Sequence, residues 1–154
     1  MLICQATEAD IPTLVAMRMA LFCEVGELPH PAADPALMQT IERYFTNAFL
    51  SGSALSWLAE VDKQVVAAGT LAMFVRPPYP GNLAGREAYL LNMYTLPDYR
   101  KLGAASALLD VMAAPTGLAR YGSMPARLAG LSMSGSVLSP IRPIWSGNHL
   151  PGEQ

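Results

Sequence analysis

Residues 99–112 read YRKLGAASALLDVM, and what an arginine, a glycine and a run of alanines do together at the start of a helix decides the fold. A helix N-terminus presents unpaired N–H groups and a partial positive charge, so it accepts an anion wherever side chains leave the approach open. In Arg100-Lys101-Leu102-Gly103-Ala104-Ala105 the glycine and small alanines leave the amides accessible, and Arg100 and Lys101 add cationic donors. That combination suits a pyrophosphate. Small residues at a helix start also serve close helix-to-sheet packing, so the surroundings have to decide. The run follows a predicted strand, AYLLNMYTL at 88–96, which Pro97 stops, and it opens an Ala- and Leu-rich helix over about 102–113. It is not a phosphate loop ending in Lys-Ser/Thr, and Gly-x-Gly-x-x-Gly is absent, so an NTPase or a dinucleotide fold fits less well.

Upstream, LICQ at 2–5 reads as a strand, and Thr7 with Asp10 three residues on resembles a capping box that starts a first helix over about 8–22. Ile11, Leu14, Val15, Met17 and Leu21 give that helix its apolar spacing. The prolines and glycine of EVGELPHPAADP make a loop, and a second helix over about 35–50 carries Leu37, Ile41, Tyr44, Phe45 and Phe49 before SGS ends it. A strand at 57–61, a turn at Asp62-Lys63 and a β-branched, apolar strand at 64–75 form a hairpin, followed by the turn-rich loop RPPYPGNLAGR. The order strand, helix, helix, three strands, helix implies an α/β sandwich in which a mixed sheet is covered by helices. No internal repeat is present.

With 154 residues the chain is one domain's worth of sequence, and its 52% hydrophobic content and net charge of −2 argue against a surface built for nucleic-acid phosphates. The longest apolar run, VVAAGTLAMFV at 65–75, is too short for a bilayer, so no membrane partner is expected. The N-terminus lacks a basic region and meets Glu8 and Asp10 at once, which predicts no secretory signal and a cytoplasmic address. Cys4 and Cys23 are then free thiols. Neither they nor the solitary His30 and His149 have a neighbour at ligand spacing, so no metal site is expected.

The stretch YLLNMYTLPDYRKLGAASALL resembles the GNAT superfamily of N-acetyltransferases, and the resemblance covers about residues 1–113. The family pattern is Arg or Gln, two residues, Gly, one residue, then Gly or Ala, after a strand and a proline; Arg100, Gly103 and Ala105 match it position by position. Lys101 stands where the family often has Gly. The resemblance implies a GNAT-like mixed central sheet flanked by helices and acetyl-CoA as co-substrate. It places the pyrophosphate on the amides of Lys101, Leu102, Gly103, Ala104 and Ala105, with Ser106 within reach, and the pantetheine arm along the backbone of Met93, Tyr94 and Thr95. It further implies direct attack of a small-molecule or peptide amine on the thioester. Asn92 and Tyr94 share a strand face and either line the acceptor side or are simply half-buried. Glu24, Glu27 and Asp34 form either an acidic rim that attracts a cationic amine or a solvated loop. Oligomeric state stays open, with a homodimer among the options.

After Ala114 the sequence becomes dense in Gly, Ser and Pro, which predicts an irregular or disordered segment over 114–154. The family continues with a further strand and a helix that ends near P-L-Y-E-R-L-G-F, whose tyrosine is the usual acid, and nothing of that kind is present in the tail. Read from the third base of each codon, however, Met124-Pro125 must give Ala, Tyr121-Gly122 can give only Trp or Arg, and Met133-Ser134 only Glu or Val. Permitted codons yield LWLHA from 120–125 and RPLYERLGF from 129–138, both family-like and both in the expected place. The expectation is therefore an incomplete domain over 1–113 and a tail that left its ancestral frame near Ala114. Acetyl transfer would then be impaired, leaving as the alternative a non-catalytic remnant that binds CoA or a protein partner.

Overall fold

A computed structural model describes residues 1–80 and 82–113. Its elements follow the expected order: β1 (Leu2–Gln5), α1 (Ile11–Glu24), α2 (Pro35–Ser51), β2 (Ala54–Val61), β3 (Gln64–Val75), β4 (Arg86–Thr95) and α3 (Ala104–Ala113). The expectations for 114–154, irregular or disordered and outside the ancestral frame, lie outside the described residues.

The helix ends are set by the residues that signalled them. Asp10 accepts from both the amide (2.8 Å) and the hydroxyl (2.9 Å) of Thr7. This draws Glu8–Asp10 into a 3-10 turn, so α1 proper begins at Ile11 rather than Glu8 and runs on to Glu24. Asp34 Oδ1 accepts the Leu37 amide at 2.8 Å with Pro35 in the first turn, and Gly52, at φ +68, closes α2 in the left-handed conformation. Asp62 and Lys63 both take positive φ, 51 and 66, as the tight β2–β3 turn requires.

The four strands pair in sequence order, β1-β2-β3-β4, and every pairing is antiparallel. The parallel component of the expected mixed sheet would have to come from beyond the described residues. β2 starts at Ala54, three residues earlier than expected, because Ser56 can sit inside the sheet: its hydroxyl bonds that of Thr70 at 2.9 Å, both groups buried. β4 likewise starts at Arg86, where Val75 pairs with Arg86 and the Arg76 amide donates to Gly85 O at 2.8 Å.

Helices cover both faces of this sheet. On one, α1 and α2 bury Leu14, Met19 and Phe45 against Leu58, Ala68 and Tyr94. α1 is apolar over most of its surface because it packs on both the sheet and α2. On the other face, Ala104, Leu108 and Met112 of α3 meet Trp57, Ala67, Leu71 and Met93. These three helix positions recur every fourth residue, one stripe of the helix, and full burial of Leu108 and Met112 contributes about 2 kcal/mol each. Gly69 permits the close approach: a Cβ there would stand 3.0 Å from both Met112 Sδ and Met93 Cε.

Candidate functional site

The site is built where β4 ends and α3 begins. Opposite Gly69, β4 carries two residues against one: Ala68 pairs with Tyr94 and Thr70 with Leu91, so Asn92 and Met93 form a bulge. Asn92 takes φ +54, a conformation asparagine tolerates better than most residues. The bulge re-aims the strand. Ala88 and Leu90 face α3 together with Met93, whereas Asn92 and Tyr94 face α1. The shared face expected for Asn92 and Tyr94 is found.

Pro97–Tyr99 then forms a 3-10 turn, and residues 100–103 lead into α3. Lys101 takes φ +62 and Gly103 φ +84, and a Cβ added at Gly103 would meet no atom within 4 Å. Among the described residues, no carbonyl takes up the amides of Lys101, Leu102 or Gly103, and the first-turn amides of Ala104, Ala105 and Ser106 have no intrahelical acceptor by geometry. The Lys101, Leu102 and Gly103 side of the mouth is exposed, while Ala104 is buried and Ala105 partly buried against the sheet. Small residues here therefore serve both purposes: they pack the helix on the sheet and leave its amides open. A helix N-terminus with its amides open in this way is able to accept an anion.

The arginine behaves differently from the expectation. Its guanidinium does not join the helix mouth as a cationic donor. Arg100 Nε donates to Thr95 O at 3.1 Å, Nη2 pairs with Glu24 at the end of α1, and the group lies 5.8 Å over the Tyr94 ring. The Arg100 amide is also engaged, with Pro97 O at 3.3 Å. The physical reason is Glu24, whose hydrogen bond raises the already high Arg100 pKa and draws the side chain toward α1. Arg100 thus ties the end of β4, the turn and α1 together, and Lys101 is the exposed cation at the mouth. Burial, with Glu24 nearby, holds the Tyr94 phenol above its usual range although Arg100 works against the shift.

Sequence reasoning missed a further residue on the α1 face. Arg18 Nη1 donates to Asn92 Oδ1, and its guanidinium lies 4.8 Å from the centre of the Phe22 ring. The Arg18 and Phe22 spacing along one helix face was readable, but the contact to Asn92 crosses 74 residues. The acidic rim is largely committed elsewhere: Glu24 pairs with Arg100 and Asp34 caps α2. Among the described residues, no group of three His, Cys, Asp or Glu side chains could hold a metal ion, and no helix is long and apolar enough to cross a membrane.

An antiparallel sheet sandwiched by helices, with an anion-ready helix mouth after a bulged strand, defines an α/β domain suited to a phosphate-bearing ligand. The chain belongs to the Acetyltransferase (GNAT) family, whose model matches residues 20–114. A predicted acetyltransferase with acetyl-CoA from Clostridium acetobutylicum is 31% identical, with 72% of this chain and 70% of that one covered at a TM-score of 0.64. A GCN5-related N-acetyltransferase from Ralstonia eutropha JMP134 shares the fold at 19% identity and a TM-score of 0.65, covering 93% of this chain and 97% of its own. A ribosomal-protein-alanine N-acetyltransferase from Brucella melitensis does so at 23% identity and a TM-score of 0.51, covering 73% and 64%. Among proteins of curated function none matches the chain.

Proposed function

We propose that this chain is an N-acetyltransferase by construction, which holds acetyl-CoA at the mouth of α3, and that transfer of the acetyl group to an amine is impaired in it. The observation that carries the first half is the helix mouth itself, whose amides at 101–103 no carbonyl among the described residues takes up and whose entry Gly103 leaves open. The acetyl-CoA in the Clostridium acetobutylicum relative supports the choice of ligand. In this reading Lys101 to Ser106 hold the pyrophosphate, Lys101 adds its charge, and Met93, Tyr94 and Thr95 pair with the pantetheine arm. Acetyl-CoA supplies a thioester carbonyl. The amine must shed its ammonium proton, with a pKa of about 10, before its nitrogen can bond that carbon; the C–S bond breaks and the departing thiolate gains a proton.

Impairment is read from the tail. The family match ends at residue 114, which supports a change of frame near Ala114, and the family-like segment with its tyrosine is not in the translated sequence. The residues that would protonate the thiolate are then absent, while those that bind the cofactor remain. A soluble, cytoplasmic enzyme acting on a small-molecule or peptide amine, as a monomer or a homodimer, completes the reading.

Calorimetry with CoA beside a thiol-release assay with acetyl-CoA tests both halves on a mass-verified chain. The expected outcome is measurable CoA binding with thiol release far below the family's usual rate, whatever amine is offered. Turnover at an ordinary rate would refute the impairment, and absence of CoA binding at millimolar concentration would refute the site. The nucleotide sequence from Asp110 onward decides the frame: codons that cannot yield LWLHA and RPLYERLGF exclude it.

A further inference from the structure

Arg18 is presented by α1 beside the bulge of β4, on the sheet face opposite α3. Its direct partners, the Asn92 side-chain carbonyl and the Phe22 ring, are both neutral. The ion pairs among the described residues join Arg76 to Glu87 and Arg100 to Glu24, and none reaches Arg18. A half-buried guanidinium without a carboxylate in contact is costly, because desolvating a charge is compensated only by a counter-charge or a full set of hydrogen bonds. Burial accordingly pushes its pKa below the usual arginine range, with Tyr44 and Glu27 acting the other way from a distance. Asn92 takes one donor of a group that has several more, arranged as a fork that matches a carboxylate or a phosphate.

The surroundings sharpen this. Of the three acidic residues expected to attract a cation, Glu24 is paired with Arg100, while Asp34 accepts the neutral Leu37 amide, a bond that leaves its charge in place. Asn92, which Arg18 holds, immediately precedes Met93, the first residue of the run assigned to pantetheine. A group bound on Arg18 therefore sits one residue from the strand segment that would carry the thioester.

We propose that Arg18 binds an anionic group of the acceptor, so that the amine this domain is shaped for carries a carboxylate or a phosphate close to its nitrogen. The inference deepens the acetyl-transfer reading and rests on it for naming the ligand an acceptor. It differs from the acidic-rim reading, in which Glu24, Glu27 and Asp34 attract a cationic amine.

Binding decides it without requiring turnover. The full chain, saturated with CoA, is titrated with matched pairs: amino acids against their amides, and phosphoethanolamine against ethanolamine, which separates carboxylate from phosphate. In at least one pair the member bearing the carboxylate or phosphate is expected to bind about tenfold tighter than the partner that lacks it, with a preference that weakens in salt. Arg18→Gln abolishes the preference, Arg18→Lys keeps part of it, and neither changes the CoA titration. A merely structural tie between α1 and β4 would lower stability in Arg18→Gln and leave ligand preference alone. Equal binding of both members of every pair by the unsubstituted chain overturns the inference, and so does a preference that survives Arg18→Gln. The CoA titration separates the two readings: CoA binding without anion preference defeats this one only. Arg18-dependent anion binding without CoA binding upholds the anion site and defeats acetyl transfer.

Discussion

Gly103 and Gly52 make a matched experiment. Both take the left-handed conformation, at φ +84 and φ +68, and a Cβ added at either would meet no atom within 4 Å. Alanine at either position therefore costs backbone strain without a collision. Left-handed backbone costs an L residue about 1–2 kcal/mol, and the smaller entropy of the unfolded alanine chain returns about 0.4–1 kcal/mol. The net loss is about 1 kcal/mol for each variant, or roughly 4 °C in Tm for a domain of this size. In stability Gly103→Ala and Gly52→Ala should look alike.

They should differ in ligand binding, because Gly52 ends α2 whereas Gly103 opens α3. If the mouth holds a pyrophosphate as proposed, the methyl group of Gly103→Ala enters the space through which it reaches the amides. CoA affinity should then fall at least tenfold, about 1.4 kcal/mol, while Gly52→Ala binds as the unsubstituted chain does. Gly103→Asn separates strain from blockage, since asparagine tolerates the left-handed region: it should recover part of the stability and none of the affinity. Urea unfolding gives the first quantity and calorimetry with CoA the second. Gly103→Ala that binds CoA within about twofold of the unsubstituted chain would refute the assignment of the mouth. An equal loss of affinity in Gly52→Ala would show that general loosening, not blockage, is being measured.

Two further outcomes follow from buried groups. Ser56→Ala leaves the Thr70 hydroxyl, 2.9 Å away in the intact pair, without its partner and should cost about 1–3 kcal/mol in urea unfolding, most of it recovered when Thr70→Val is added. Burial raises the pKa of Tyr94 above its ordinary 10.0 and that of Cys4 above 9.0, so the folded chain holds these protons more tightly than the unfolded one. Their contribution to stability is full below the ordinary values and is lost as pH rises through the raised ones; Tyr94→Phe should flatten the upper part of that decline in unfolding midpoints taken between about pH 8 and 11, and an unchanged slope would count against a buried phenol.

Much of this architecture is legible in local residue chemistry. Asp34-Pro35 and Gly52 bracket α2, Asp62-Lys63 turn the hairpin, and Arg100, Gly103 and Ala105 mark the junction of β4 and α3. Each works through its own backbone or its near neighbours, which is why a linear reading finds it. The bulge is different: nothing in NMYT announces that Asn92 will take φ +54, because the extra residue shows only in the pairing with β3, opposite Gly69, where Met112 packs close. Strict alternation would have put Leu90 on the face of Asn92 and Tyr94, yet Leu90 packs toward α3. Contacts such as Arg18 with Asn92 and Arg100 with Glu24, 74 and 76 residues apart, exist only once α1 lies on the sheet.

The three residues of the motif thus act through three distinct physical effects. Gly103 supplies a backbone angle, and Ala105 a small side chain that lets α3 settle on the sheet while its amides stay open. Arg100, expected with Lys101 as a cationic donor, acts as a tie, its guanidinium divided between the Thr95 carbonyl and Glu24. This matters for where charge is free. The mouth keeps its helix dipole and the exposed Lys101, a lysine that bears φ +62 where glycine would rest without strain. Across the sheet, Glu24 is balanced by Arg100, and among the described residues Arg18 has no carboxylate in contact. Arg100 and Arg18 thus stand in different company on the α1 face, one tied to Glu24 and the Thr95 carbonyl, the other touching the neutral Asn92 and Phe22, and it is the second that the proposed anionic acceptor would meet.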